Sequence, residues 1–214
     1  MTLQVNEIFH SIQGESVWAG LPCSFVRLTG CNLRCGYCDT TYAYDAGRPM
    51  GIRQIVRTLE KAQCHRVTIT GGEPLLQTRT IDLIGTLVQG GYRVSLETNG
   101  SLDIRPVDAA CMVVMDLKCP SSGMHAHNRL DNLRYLKAVD QLKFVVADSR
   151  DYQFACDIVA QAAGQMDGAN ILFSPAFGLM PPERLAAWIL RDNIDVRLQL
   201  QLHRLIWPDQ DRGV

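Results

Sequence analysis

Three cysteines, Cys31, Cys35 and Cys38, stand in the spacing C-x3-C-x2-C directly after the apolar stretch at residues 25–28. Three thiolates offered by one loop are one ligand short of the set that a tetrahedral zinc ion or a four-iron cluster takes from protein. Two chemistries meet that description. A structural zinc would find its fourth ligand elsewhere, with His10, His65 or a distant cysteine available. A [4Fe–4S] cluster held by three cysteines would keep one iron open to a molecule that is not protein. Zinc loops usually pair their ligands, as two C-x2-C units or as C-x2-C followed by two histidines. The remaining cysteines, Cys23, Cys64, Cys111, Cys119 and Cys156, are scattered. The spacing favours the cluster.

Further along, Thr70-Gly71-Gly72-Glu73-Pro74 closes a short β-branched run. Two glycines let backbone approach a ligand with no Cβ in the way, and the proline fixes entry to the next element. By itself this is an ordinary strand-to-helix turn. Glu97-Thr98-Asn99-Gly100 ends the next run, where an Asn-Gly turn is the plain reading. Asp116-Leu117-Lys118-Cys119 ends another. Charged groups closing an apolar strand are costly to bury unpaired, so Asp116 and Lys118 should face a polar cavity. Cys119 reads as a packed thiol. Before the cysteines, Gln13-Gly14-Glu15 and Arg27 combine an amide, a carboxylate and a guanidinium. The plain reading of that N-terminal segment is a surface loop. The same groups could also read a flat heterocycle bearing amide-like edges and a carboxylate. If Phe25 and Arg27 share the inner face of a strand, Arg27 needs an anionic partner.

These motifs must be held by something. Apolar runs at residues 24–28, 67–70, 93–96, 112–117, 142–146 and 171–173 read as strands, and an alternating run at 196–202 reads as a last one. Ile52, Ile55, Val56 and Leu59 form one helical stripe, and Ile81, Ile84, Leu87 and Val88 a second. Leu130, Leu133 and Leu136 mark a third helix, Phe154 and Ile158 a fourth, and Leu185, Trp188 and Ile189 a fifth. Pro181 and Pro182 suit that helix's first turn. Repeated βα units predict an α/β fold with about six parallel strands, fewer than a closed eight-stranded barrel requires. Loops at the C-terminal strand ends then build the site, and the cysteine loop and the motifs beginning at Thr70, Glu97 and Asp116 sit there.

The chain has 214 residues, 47% of them hydrophobic and 20% charged, with a net charge of −1. A soluble globular composition without a basic stripe argues against nucleic acid as a partner. The longest apolar run, residues 109–115, is too short to cross a membrane. The first residues lack the basic start and apolar segment of a secretory signal, so the expected home is the cytoplasm, where thiols stay reduced. The chain reads as a single domain over residues 1–214, with a C-terminal extension at about 204–214.

The cysteine spacing followed by G-G-E-P resembles the radical S-adenosylmethionine (SAM) superfamily, in which the open iron of a [4Fe–4S] cluster chelates SAM. Within it, N-E-I-F-x3-Q-G-E, C-x3-C-x2-C-D-T, T-G-G-E-P, E-T-N-G and a C-terminal Q-x-H are similar to the 7-carboxy-7-deazaguanine synthase family, from Asn6 to about His203. The resemblance implies an incomplete, modified (β/α) barrel, usually a homodimer. It implies conversion of 6-carboxy-5,6,7,8-tetrahydropterin to 7-carboxy-7-deazaguanine with loss of ammonia, on the way to queuosine and related 7-deazapurines. SAM would act as a cofactor, Mg2+ as a second one, and a flavodoxin- or ferredoxin-like protein as electron donor.

Carried over by position, Cys31, Cys35 and Cys38 hold the cluster and the Thr40 hydroxyl meets Mg2+. Tyr37, Cys38, Asp39, Gly72, Glu73, Glu97, Asn99, Asp116, Leu117, Lys118 and Ser174 are expected around SAM. Ile12, Gln13, Gly14, Glu15, Arg27, Thr70, Gly71 and His203 are expected around the pterin. The chain carries Ser16 where many members carry a glycine, Asp116-Leu117-Lys118 in place of a Ser-Pro-Lys form seen elsewhere in the family, and Phe173-Ser174-Pro175 where some members carry Gln-Pro. Two other readings stand beside this one. A glycyl-radical activating enzyme shares the cysteine spacing but has no use for Gln13, Glu15, Arg27 and Thr40 together. A non-catalytic zinc or iron–sulfur module would bind its metal without turnover.

Overall fold

Alternation of apolar and polar residues along the strands is what organises this chain, and the computed structural model describes residues 2–162 and 166–214 of it. The strands are β1 (Leu3–Ile12), β2 (Pro22–Leu28), β3 (Arg48–Met50), β4 (Arg66–Gly71), β5 (Arg93–Thr98), β6 (Met112–Leu117), β7 (Gln141–Val146), β8 (Ile171–Pro175) and β9 (Arg197–Leu198). The helices are α1 (Ile52–Glu60), α2 (Thr80–Gln89), α3 (Ser149–Gln161), α4 (Pro182–Arg191) and α5 (Leu202–Ile206). They form one sheet of order β3-β1-β2-β4-β5-β6-β7-β8-β9. From β2 to β9 all neighbours are parallel, whereas β1 lies antiparallel to both β2 and β3. Among the described residues β3 and β9 do not pair, so the barrel is open.

One face of each parallel strand is apolar and packs on the helices. Val26, Leu28, Val67, Ile69, Val94 and Leu96 share a core with α1 and α2, while Val113, Met115, Leu142, Phe144, Ile171 and Phe173 share one with α3 and α4. Burying each such side chain is worth about 1.5–3 kcal/mol. The alternate residues turn inward. At the N-terminal end of the strands the interior is filled by Trp18, Cys23, Phe25, Met112 and Val114. At the C-terminal end the inward residues are polar.

Three elements differ from the sequence expectation. Of the N-terminal segment read as a loop, residues 13–15 do form a turn, but the part up to Ile12 belongs to a ten-residue strand, β1. Its pairing with β2 slips between Val5 and Glu7, a bulge that sets Glu7 opposite Arg27. Leu130, Leu133 and Leu136 do not mark an α-helix: Leu130–Tyr135 is a 3-10 helix. A strict spacing of three suits three residues per turn better than 3.6. Of the run at 196–202 only Arg197 and Leu198 pair as a strand. The Gln199 amide still donates to Phe173 O at 2.9 Å, and Leu202 then opens α5 and brings His203 toward the barrel interior.

Candidate active site

Five inner wall strands contribute a polar side chain next to their last residue, Arg27 from β2, Thr70 from β4, Glu97 from β5, Asp116 from β6 and Ser174 from β8, and β7 contributes Lys143 from its middle. Register sets Arg27 beside Thr70 and Asp116 beside Lys143, whereas Glu97 lies opposite Val114 and Lys143 opposite Leu172. All but Ser174 line a cavity of about 220 Å³, and Ser174 lines an adjoining one of about 180 Å³. Cys35, Cys38, Asp39, Asp116, Lys118, Lys143 and Gln201 are common to both, so the two chambers meet at these residues.

The cysteine loop forms the rim. Cys31, Cys35 and Cys38 are free, half-buried thiols that all line the larger cavity. Buried Leu33 anchors the loop, the Gly36 amide donates to Ser122 O at 3.1 Å, and the Leu33 amide donates to Cys31 Sγ at 3.4 Å. Among the described residues no three His, Cys, Asp or Glu side chains converge on a single-ion site. A cubane takes each thiolate at a different corner iron, so its ligands need not converge on one point. Burial pushes the Cys35 thiol up, opposed by the Lys118 ammonium. The glycine-rich strand end lies against this loop. A Cβ on Gly72 would overlap Gly30 O and Cys31 Cβ, so only glycine allows that approach. The donor set and its glycine cradle fit a three-cysteine cluster.

The floor is the turn between β1 and β2, which enters the barrel from below. Gln13 is spent within the chain: its Oε1 accepts from the Glu15 amide at 3.1 Å, and its Nε2 donates to Thr68 Oγ1 at 3.1 Å and Glu97 Oε1 at 3.3 Å. Thr70 Oγ1 donates to Glu97 Oε2 at 2.8 Å. Glu15 pairs through Oε2 with the Lys143 ammonium, while its Oε1 has no hydrogen-bond partner. Burial pushes the Glu97 carboxyl up and the charge of Glu15 adds to that, with Lys143 opposing. Arg27 finds its anion in Glu7, Nε to Oε1 at 2.7 Å, and that carboxylate also accepts from Tyr42 OH at 3.1 Å. Phe9 stacks on Phe25 at 4.7 Å beneath the guanidinium, giving a flat apolar platform. His203 packs on Gly14, where any Cβ would meet its Nδ1, and burial holds its imidazole below the ordinary range.

On the other side, Asp116 Oδ2 pairs with Lys118 at 2.9 Å and leaves Oδ1 unpartnered, and Ser174 Oγ two strands away is unpartnered too. Burial would lower Lys118, but Asp116 overrides it and holds the ammonium above its usual range. Tyr37 reaches across to donate to Val145 O at 3.3 Å. Thr40 Oγ1 donates to Asp39 Oδ1 at 2.8 Å, which leaves the lone pairs of that hydroxyl unspent. Burial opposes the ionisation of Asp39, yet Thr40, Lys143 and Arg204 together hold its carboxyl below the usual range.

The structure thus gathers Ile12, Gln13, Gly14, Glu15, Arg27, Thr70, Gly71 and His203 around one cavity, with Thr40, Gly72, Glu97 and Asn99 on the same wall. Glu97 and Asn99 part company. Glu97 turns to Gln13 and Thr70, whereas the Asn99 amide donates to Asn32 Oδ1 at 3.1 Å beside Cys31. Two expected residues line neither chamber. Leu117 is wholly buried in the outer core. The buried Glu73 carboxylate is consumed by Thr98 Oγ1 at 2.9 Å, the Leu75 amide at 2.9 Å and the Asn99 amide at 2.6 Å. It staples two strand ends together. Residues not singled out from sequence also belong here: Glu7, Tyr42, Lys143, Gln201 and Arg204. Lys143 carried a signal, a lone cation inside the apolar run of β7.

Residues 25–118 match the Radical SAM superfamily. The chain is 41% identical to the 7-carboxy-7-deazaguanine synthase of Koribacter versatilis, over 99% of this chain and 100% of that one. It is 44% identical to the 7-carboxy-7-deazaguanine synthase of Chlorobaculum tepidum, over 99% and 97%. Its fold is similar to the crystal structure of QueE from Escherichia coli, with a TM-score of 0.77 at 21% identity over 94% of each chain. The chain belongs to the 7-carboxy-7-deazaguanine synthase family of the radical SAM superfamily.

Proposed function

We propose that this protein converts 6-carboxy-5,6,7,8-tetrahydropterin to 7-carboxy-7-deazaguanine with release of ammonia, in the biosynthesis of queuosine and related 7-deazapurines. One observation carries the reading: the inward polar ring of Arg27, Thr70, Glu97, Asp116 and Lys143 lines the same cavity as the three cysteines. Cys31, Cys35 and Cys38 would hold the [4Fe–4S] cluster, with SAM beside it. When bound, these groups would supply the radical chemistry that removes a hydrogen atom from the pterin.

The chain's own residues do the rest by placement. Asp116, Lys118, Ser174, Tyr37 and Asp39 surround the smaller chamber and suit the amino, carboxylate and ribose groups of SAM. Arg27, pinned by Glu7, offers its free guanidinium nitrogens to the substrate carboxylate. Phe9 and Phe25 support the flat ring. Glu97 shares Gln13 and Thr70 and so goes with the pterin rather than the ribose. Neutral His203 over Gly14 closes the far side. Thr40, with its lone pairs free, suits Mg2+, a hard cation that would be shared with the substrate carboxylate. The wider reading includes one domain over residues 1–214, a homodimer, a cytoplasmic location and a flavodoxin- or ferredoxin-like electron donor. Anaerobic turnover of the carboxypterin by reconstituted protein tests the proposal.

A further inference from the structure

Lys143 has no role in the account so far beyond neutralising charge. It is nearly buried, it lines both chambers where they meet, and it is the one ring cation flanked by two carboxylates that each keep an unspent oxygen. One is Glu15, bonded through Oε2 with Oε1 free; the other is Asp116, its register partner on β6, with Oδ1 free. On the floor loop the Gln13 amide is fully engaged. Glu15 Oε1 is therefore the floor loop's unsatisfied side-chain acceptor, and the ammonium decides which oxygen that is.

We propose that Lys143 is a positioning residue for substrate selection: it grips one oxygen of Glu15 so that the other accepts from the paired N–H donors of a 2-amino-4-oxopyrimidine ring. This rests on the functional reading above. A buried acceptor left without a donor is expensive, so such a site rejects rings that lack the exocyclic amine far more strongly than it rewards shape. The alternative is that Lys143 only ties the floor loop to the wall, in which case its loss would weaken every ligand alike.

The two can be separated by calorimetric titration of the reconstituted, SAM-loaded protein with 6-carboxypterin and with its 2-desamino analogue. Lys143→Met should weaken 6-carboxypterin by about 30-fold or more while changing the analogue by less than about threefold. Glu15→Gln should give the same selective loss, and the Glu15→Gln/Lys143→Met double variant should lose little more than either single variant, because both changes remove one interaction. Lys143→Arg should restore part of the preference. Equal weakening of both ligands by Lys143→Met, or no weakening, overturns the proposal. Should that variant fail to fold for want of a partner to Glu15, the double variant, which buries no lone charge, answers instead; full retention of the 2-amino preference there overturns the proposal equally. Failure of the unaltered protein to bind 6-carboxypterin would count against the functional reading and not against this one.

Discussion

The backbone N–H of Glu73 donates to the carbonyl oxygen of Gly30 at 2.8 Å. The glycine-rich strand end and the residue before Cys31 are thus one hydrogen-bonded unit, and β4 positions the cysteine loop that follows β2. The contact is close enough that Gly72 has no room for a side chain against Cys31.

Gly72→Ala should therefore push the cysteine loop off its seat. After anaerobic reconstitution, iron bound per chain should drop several-fold while far-UV circular dichroism stays that of the unaltered protein, since the ligands stand on a loop. Full iron loading would show that the cradle is not what places Cys31.

Acid sensitivity should include a contribution from His203. Burial holds its folded-state pKa below the ordinary value of about 6.5, so the unfolded chain takes up a proton that the folded chain resists. The stability from this source is whole above the ordinary value and is lost as pH falls through it toward the depressed one. Urea denaturation of the unaltered protein and His203→Gln should show their difference moving against the unaltered protein on acidification, with a slope of at most about 1.4 kcal/mol per pH unit. A difference independent of pH between 7.5 and 5 would contradict a buried neutral imidazole.

Glu7 should act through Arg27. Its carboxylate binds Arg27 at 2.7 Å and also accepts from Tyr42, fixing the guanidinium over Phe9. Glu7→Gln keeps the shape but weakens a charge-assisted bond, which should raise KM for the carboxypterin by about tenfold with kcat changed less. A fall in kcat at unchanged KM would place Glu7 in the chemistry instead.

The parts legible in the sequence were those fixed by spacing. C-x3-C-x2-C and the strand-end motifs declare themselves because each loop follows a short apolar run whose period is two. The alternation that buried Val67 and Ile69 also forced Thr68 and Thr70 inward, and the same logic gave Arg27 an anion. What was hidden depended on pairing across long sequence separations. β1 carries no clean alternation, since its bulge shifts the pattern between Val5 and Glu7, so the partner of Arg27 was not visible. Glu73 looked like a ligand residue because of its neighbours, yet its carboxylate turns back to hold Thr98 and Asn99. Lys143 and Glu15, 128 positions apart, meet only because the floor loop enters the barrel from below.

The proposed activity is tested most directly by one reaction: reconstituted protein, SAM, Mg2+, a strong reductant or a reduced flavodoxin, and 6-carboxy-5,6,7,8-tetrahydropterin under anaerobic conditions. It predicts 7-carboxy-7-deazaguanine and ammonia in equal amounts, with many turnovers for each SAM irreversibly consumed. A protein carrying its full cluster and cleaving SAM, yet forming no deazaguanine with or without Mg2+, would contradict it.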